Sequence, residues 1–237
     1  MEYLKKRGCA IRADLPESEA RPGKKYVAVT FDDGFESFAR LAIPVLRDRG
    51  IPATVFVATG FLGCRPEWIE DKTKSGAGER LLGIEDLRAL SEAGLVLIGS
   101  HSVSHRPLKS SDLGAEEIRY ELEVSKRFLE ERLARPVNLF AFPYGISDDS
   151  VRQAAKNAGY YRAFLSVPLG STANIDGHIA GRIVALPGES LFSFRLKALG
   201  GYQFLPLSIA AKGILRRWVR RIRTRREVGG SSDCRPE

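Results

Sequence analysis

Cysteine is scarce in these 237 residues, with only Cys9, Cys64 and Cys234 present. The three are widely separated, odd in number and in no CxxC spacing, so neither a disulfide framework nor a thiolate zinc site is indicated. Long apolar runs are lacking too, and none approaches the roughly 18 residues that a spanning helix requires. The N-terminal stretch MEYLKKRGCAIRADLPESEARPG has basic residues but no apolar signal core. As it stands, such a chain is expected in the cytoplasm or at the periphery of a membrane, with export left open if the N-terminus is incomplete. No Gly/Ser, Pro or Gln/Asn tract suggests extensive disorder, and no internal repeat is visible. Acids are outnumbered, 29 against 37 Lys and Arg, for a net charge of +8. That excess is local: residues 207–237 hold nine Lys or Arg against three acids, a net +6, which leaves the body near neutrality at +2. Nothing in the body resembles a basic groove with interleaved stacking aromatics, so no nucleic-acid partner is expected.

What is present is a 43% hydrophobic chain, long enough for one large α/β domain with a substantial core. Short β-branched runs alternate with helical patterns, the signature of a parallel sheet or barrel. The predicted strands are Tyr26–Phe31, Ala53–Ala58, Leu95–Gly99, Val137–Phe142 and Tyr161–Val167. Between them, apolar residues at helical spacing predict helices over Glu36–Arg49, Ile84–Ala93, Ala115–Leu133 and Asp149–Ala158. The pattern weakens afterwards. The long irregular stretch Thr59–Arg80 contains Trp68 and reads as a binding loop; Trp68 offers a face on which a sugar could stack, but a single aromatic in such a loop is expected more often to plug it onto the core.

Two motifs carry chemistry. In Thr30-Phe31-Asp32-Asp33-Gly34 two adjacent carboxylates end an apolar strand. Asp-Gly is also a common turn dipeptide, but paired carboxylates repel, and one of them is expected to meet a cation or a proton. In His101-Ser-Val-Ser-His105 two imidazoles follow the strand LVLIG four residues apart, a spacing that one helical turn would place on a single face. The chain has only three histidines, and two lie in this pentapeptide. Two imidazoles and a carboxylate on a divalent metal, with open positions for water and substrate, describe a catalytic site, and the spare carboxylate is a candidate base. The same ligand set occurs in non-haem iron oxygenases, although those usually carry it on an antiparallel double sheet.

TFDDG, HSVSH and Phe140-Ala-Phe-Pro-Tyr-Gly145, in this order, resemble the first three motifs of the polysaccharide deacetylases, the NodB-homology domain of carbohydrate esterase family 4. The resemblance spans roughly Tyr26 to Val184, and Glu2–Gly8 looks like the leading helix that often precedes this domain. It implies a distorted (β/α) barrel with about seven parallel strands and removal of acetyl groups from N-acetylated sugars of a poly- or oligosaccharide. Carried over by position, it makes Asp32 the general base, and Asp33, His101 and His105 the ligands of a divalent metal, usually zinc, with cobalt or another ion as alternatives. Tyr144 would donate its backbone N–H to the developing oxyanion.

Departures accompany these matches. Ala141 stands where the family usually has an arginine that orients the catalytic aspartate, and Arg182, on a late apparent strand, is a candidate replacement. No Asp-x-x-Asp-Trp motif follows Gly145. His178 is the one histidine left for the family's general acid, in a partly matching context. A catalytically silent carbohydrate-binding or assembly protein on the same fold is the alternative these departures leave open. The implied organisation is a lead-in helix and linker over 1–25, a catalytic domain over 26–206, and a basic amphipathic helix with a disordered end over 207–237. In that last segment Leu207, Ala211, Ile214, Leu215, Trp218 and Ile222 recur at helical spacing among arginines. Its apolar face would either dock on the barrel or lie on an anionic membrane through residues 207–223.

Overall fold

A computed structural model describes residues 1–200 apart from 8, 20, 22, 70–75, 77, 167–176 and 187. The basic segment 207–237 therefore lies outside the described residues. Seven strands, all parallel, form one sheet in sequential order: β1 (Ala10–Ile11), β2 (Val27–Phe31), β3 (Ala53–Val57), β4 (Val96–Ser100), β5 (Leu139–Ala141), β6 (Arg162–Leu165) and β7 (Ile179–Gly181). Helices α1 (Glu2–Arg7), α2 (Ile43–Arg49), α3 (Ile84–Glu92), α4 (Ala115–Leu133), α5 (Asp149–Asn157) and α6 (Leu191–Ala198) accompany them. The expected barrel-like α/β architecture with about seven parallel strands is the one found. Segment 1–25 is built into it: β1 pairs with β2, and Leu4 of α1 is buried in the main core.

Alternation along the strands divides the interior into two layers. Ala53, Val55 and Val57 of β3 join Ala163 and Leu165 of β6 in the core beneath the helices. Phe56, Leu139, Ala141 and Phe164 point the other way and pack together with Ala13. Fully buried phenylalanines such as Phe56 and Phe140 hold this frame, and truncating one to alanine costs about 3–5 kcal/mol.

Chain direction then places the chemistry. Each parallel strand delivers its following residue to the same end of the sheet, so Asp32 and Asp33 after β2, His101 after β4, Tyr144 shortly after β5 and Arg182 after β7 share one rim. Two local features differ from expectation. The helix predicted over Glu36–Arg49 begins as a π-helical turn, Phe38–Ala42, before α2. His101–His105 is an irregular loop, not a helical turn, with left-handed backbone at Ser102 (φ 70°) and His105 (φ 57°).

Candidate metal centre and catalytic rim

Asp33 and the two histidines converge. Asp33 Oδ1 lies 3.0 Å from His105 Nε2 and 3.5 Å from His101 Nε2. Backbone conformation brings this about: Asp33 itself has φ 70°, and Gly34 turns the chain away at φ 76°, where a Cβ would stand 2.6 Å from Val57 Cγ1. Of the five non-glycine residues with positive φ among those described, Asp33, Ser102, His105 and Tyr144 all belong to this rim. Strain of this kind, about 1–3 kcal/mol each, persists only where the surroundings enforce it.

His101 is buried, and its Nδ1 lies 2.7 Å from the carbonyl oxygen of Ala141. A carbonyl only accepts, so Nδ1 carries the proton and a neutral His101 turns the lone pair of Nε2 toward the Asp33 carboxylate. Two acceptors facing each other require a cation between them. Without a metal a proton serves: burial disfavours the imidazolium, yet the Asp33 hydrogen bond and the charges of Asp32 and Asp33 outweigh it and raise the His101 pKa. His105 goes the other way, with burial prevailing over Asp33 and keeping the ring neutral. Burial also opposes the Asp33 charge, but hydrogen bonds from both imidazoles hold its carboxyl well below the usual range.

A divalent metal fits this arrangement. The three potential ligand atoms all lie within 4.8 Å of one another. The two separations between Asp33 and the imidazoles, 3.0 and 3.5 Å, bracket the roughly 3.3 Å edge of a tetrahedron whose ligands sit at about 2.0–2.1 Å from zinc. The His101–carbonyl contact is the outer hydrogen bond that metal-ligating imidazoles commonly make.

Asp32 is held separately, by Arg182. The guanidinium donates from Nη1 to Asp32 Oδ1 at 2.6 Å and from Nη2 to Oδ2 at 2.7 Å. Its remaining donors reach Thr30 Oγ1 at 3.2 Å, Ser166 Oγ at 3.1 Å and the carbonyl of Leu165 at 3.3 Å. These five contacts occupy the full fork of an arginine. Below it lie the rings of Phe56 and Phe164, 5.4 and 5.9 Å from the guanidinium carbon. Burial raises the Asp32 pKa, but the charge and hydrogen bonds of Arg182, with the charge of His101, bring it below the ordinary value. The carboxylate is thus ionised and oriented. Arg182, immediately after β7, thus holds Asp32 by two hydrogen bonds, while Ala141 contributes its carbonyl to His101.

Tyr144 sits at φ 59°, ψ 6° in the Pro143–Gly145 turn, its ring 4.9 Å from that of His105. His178 is elsewhere. It immediately precedes β7, whereas Arg182 immediately follows it, and the three strand residues between them set the two about 13 Å apart. The His178 ring is buried, with Nδ1 3.2 Å from the carbonyl of Tyr161 ahead of β6, at the end of the sheet opposite the carboxylates.

Two contributors escaped the sequence reading. Glu121, buried on α4, accepts from the backbone N–H groups of Val103 and Ser104 at 2.8 and 2.9 Å and from the Ser104 hydroxyl, fixing the loop between the histidines. Its signal was an acid at the helical spacing of Ile118, Leu122 and Ser125, on the buried face of α4. Trp68, expected to plug its loop onto the core, lies against the site instead. It stacks on His105 at 4.0 Å and meets Phe61 edge-on at 4.9 Å.

Comparisons with known proteins point the same way. A family model described as polysaccharide deacetylase matches residues 19–163. Chitin deacetylase 1 of Cryptococcus neoformans is 30% identical over 73% of this chain and 33% of its own length. The poly-beta-1,6-N-acetyl-D-glucosamine N-deacetylase of Staphylococcus aureus is 25% identical over 76% of this chain and 60% of its own. The chain thus spans between a third and three fifths of the length of these curated relatives. Among solved structures, the Streptococcus pyogenes deacetylase PplD in complex with acetate shares the fold, with a TM-score of 0.66 at 22% identity over 82% of this chain and 81% of that one.

Proposed function

Because the chain belongs to the polysaccharide deacetylase family, we propose that it is a metal-dependent hydrolase that removes acetyl groups from N-acetylated sugars of a poly- or oligosaccharide. The observation that carries this reading is the division of labour between adjacent carboxylates: Asp33 faces two imidazoles while Asp32 is clamped by Arg182. A silent binding protein would gain nothing from an oriented, ionised Asp32 beside a metal centre. The names of the two relatives, one for chitin and one for poly-N-acetylglucosamine, support an N-acetylated glycan as substrate.

Asp33, His101 and His105 would hold the metal, most simply zinc, with cobalt or another divalent ion able to use the same donors. When bound, the metal supplies Lewis acidity, polarising the acetyl carbonyl and easing deprotonation of a water. Asp32 accepts the proton of the attacking water, and Arg182 keeps its carboxylate ionised and aimed until that moment. The left-handed turn at Tyr144 fixes the orientation of the peptide whose N–H would meet the oxygen that becomes negative. Collapse of the tetrahedral adduct requires a proton on the departing amine. With His178 at the far end of the sheet, Asp32, protonated in the first step, is the group placed to return it. Water and amide thereby become acetic acid, which ionises to acetate and a released proton, and a free amine, with Asp32 restored.

The test is acetate release from N-acetylglucosamine oligomers by chelated protein given zinc or cobalt, beside Asp32→Asn. Metal-restored release that the variant lacks is the expected result. Absence of release from a panel of N-acetylated and O-acetylated glycans by metal-loaded protein would overturn the proposal.

A further inference from the structure

Six of the eleven exposed large apolar residues among those described fall in one short stretch of chain: Ile183, Val184, Leu186, Leu191, Phe192 and Leu199. Phe192 is 76% exposed, Leu186 61% and Leu191 59%. Such a concentration marks an interaction surface more than ordinary scatter does. It begins one residue after Arg182, at the rim of the candidate site, and continues along α6.

The surroundings of this patch are basic. Arg195 of α6 lies over the ring of Tyr3 at 5.5 Å, which joins α6 to the exposed Lys5, Lys6 and Arg7 of α1. Lys25, also exposed, donates to the Leu199 carbonyl at 2.9 Å. Nearby acids offset these charges only in part: Glu2 is shared between Lys6 and Arg49, and Glu189 is paired with Lys197, so Lys5, Arg7, Lys25 and Arg195 carry the basic rim. The chain then runs into the amphipathic stretch 207–223, whose charged residues are all Lys or Arg. A rim of cations opposes docking of that arginine-rich segment back onto the patch. It suits a partner that presents acidic headgroups over an apolar layer.

We propose that the exposed apolar residues between Ile183 and Leu199, with the basic rim of α1, form a docking surface for an anionic lipid bilayer, with the basic sequence 207–223 following in the chain. No helix among the described residues is long and apolar enough to cross a membrane. Docking there sets the catalytic rim beside the lipid surface. Resting on the deacetylase reading, the substrate is then an acetylated glycan displayed at that surface.

The experiment sediments the full chain with vesicles of phosphatidylglycerol and phosphatidylcholine in equal parts, or of phosphatidylcholine alone. Leu186→Asp/Phe192→Asp is run beside it, with melting temperature as the check on folding. Expected are pelleting with the anionic vesicles only, release by high salt, and a loss of roughly tenfold or more in vesicle affinity for the folded double variant. No pelleting with anionic vesicles, or equal pelleting of wild type and variant, overturns the proposal. Fluorescence of Trp218 in a Trp68→Phe background separates the competing occupant. Emission that shifts to the blue only on adding anionic vesicles supports the lipid surface. Emission already blue in buffer and unmoved by vesicles means that the segment covers the patch itself, and sinks the idea. None of these readouts needs catalytic activity, so failure here and failure of the deacetylase reading are distinguishable.

Discussion

Replacing Arg182 by alanine removes both hydrogen bonds to Asp32 at once, along with the charge that holds that carboxylate ionised. The pair is largely sheltered, with side-chain exposures of 12% for Arg182 and 32% for Asp32. Solvent therefore replaces the lost contacts only in part. A hydrogen bond to a charged group contributes about 1.5–3 kcal/mol. If that orientation is realised in the transition state, its loss corresponds to a roughly 10- to 150-fold drop in kcat. The direction of the pH effect follows from the same contacts. A base works when deprotonated, so the acid limb of the rate profile reports its pKa. Burial and the neighbouring Asp33 both push the Asp32 pKa up, and Arg182 is the largest influence opposing them. Without Arg182 the acid limb must move to higher pH. Acetate release from soluble N-acetylglucosamine oligomers, measured from pH 4 to 9 for wild type, Arg182→Ala and Arg182→Lys, checks both effects. Lysine restores charge but not the two-pronged geometry, so it should recover the position of the limb better than kcat. Unchanged kcat and an unmoved limb in Arg182→Ala would refute the positioning role.

Glu121→Ala leaves the part-buried N–H groups of Val103 and Ser104 without their acceptor, at up to about 1–3 kcal/mol each, less what water regains. Urea unfolding should show the loss, and competition with a chelator should show roughly 10- to 100-fold weaker metal binding, with Glu121→Gln less affected. Zinc at about 100 times its dissociation constant should stabilise the chelated wild type by about 2.7 kcal/mol. For a chain of this size that is a rise of roughly 5–10 °C in melting temperature, and His105→Ala should show none of it. Asp148 caps α5 through Val151 N–H and also accepts from the Ser110 N–H and the Ser110 and Ser150 hydroxyls, which outweigh burial and hold its carboxyl well below the ordinary range. A depressed carboxyl stabilises above its unfolded pKa, about 3.9, and that contribution fades as pH falls toward the folded value. Asp148→Ala should therefore cost about 1 kcal/mol near neutrality, and denaturant titrations between pH 5 and 2 should show the gap to wild type closing.

What was legible in the sequence was whatever a single strand end exposes. Asp32 and Asp33 interrupt an apolar run, and His101 does the same after LVLIG, so polar chemistry at the ends of buried strands stood out. Less visible were features that depend on backbone conformation or distant partners. Nothing in HSVSH announces left-handed residues at Ser102 and His105, and the helical spacing there was coincidental, since the backbone that converges the rings is irregular. With two residues, β1 is too short to show alternation. Glu121 was hidden among the acids of a helix whose outer face is charged, because its importance rests on two N–H groups 17 and 18 residues away. Trp68 was assigned to the core because the ring it covers belongs to another loop.

Arg182 and His178 show how one physical rule places one candidate beside Asp32 and the other away from it. Both flank β7, and both were plausible replacements for groups missing from the family pattern. In a parallel sheet every strand points the same way, so residues that follow strands gather at one end and residues that precede them gather at the other. Asp32, Asp33 and His101 all follow strands. Whatever completes their site must do the same, which selects Arg182, immediately after Gly181, and excludes His178, immediately before Ile179. The exclusion has a chemical consequence. In the proposed mechanism, with His178 remote, one carboxylate performs both transfers: Asp32 holds the water's proton until the departing amine takes it, and Arg182 favours the ionised form to which Asp32 then returns.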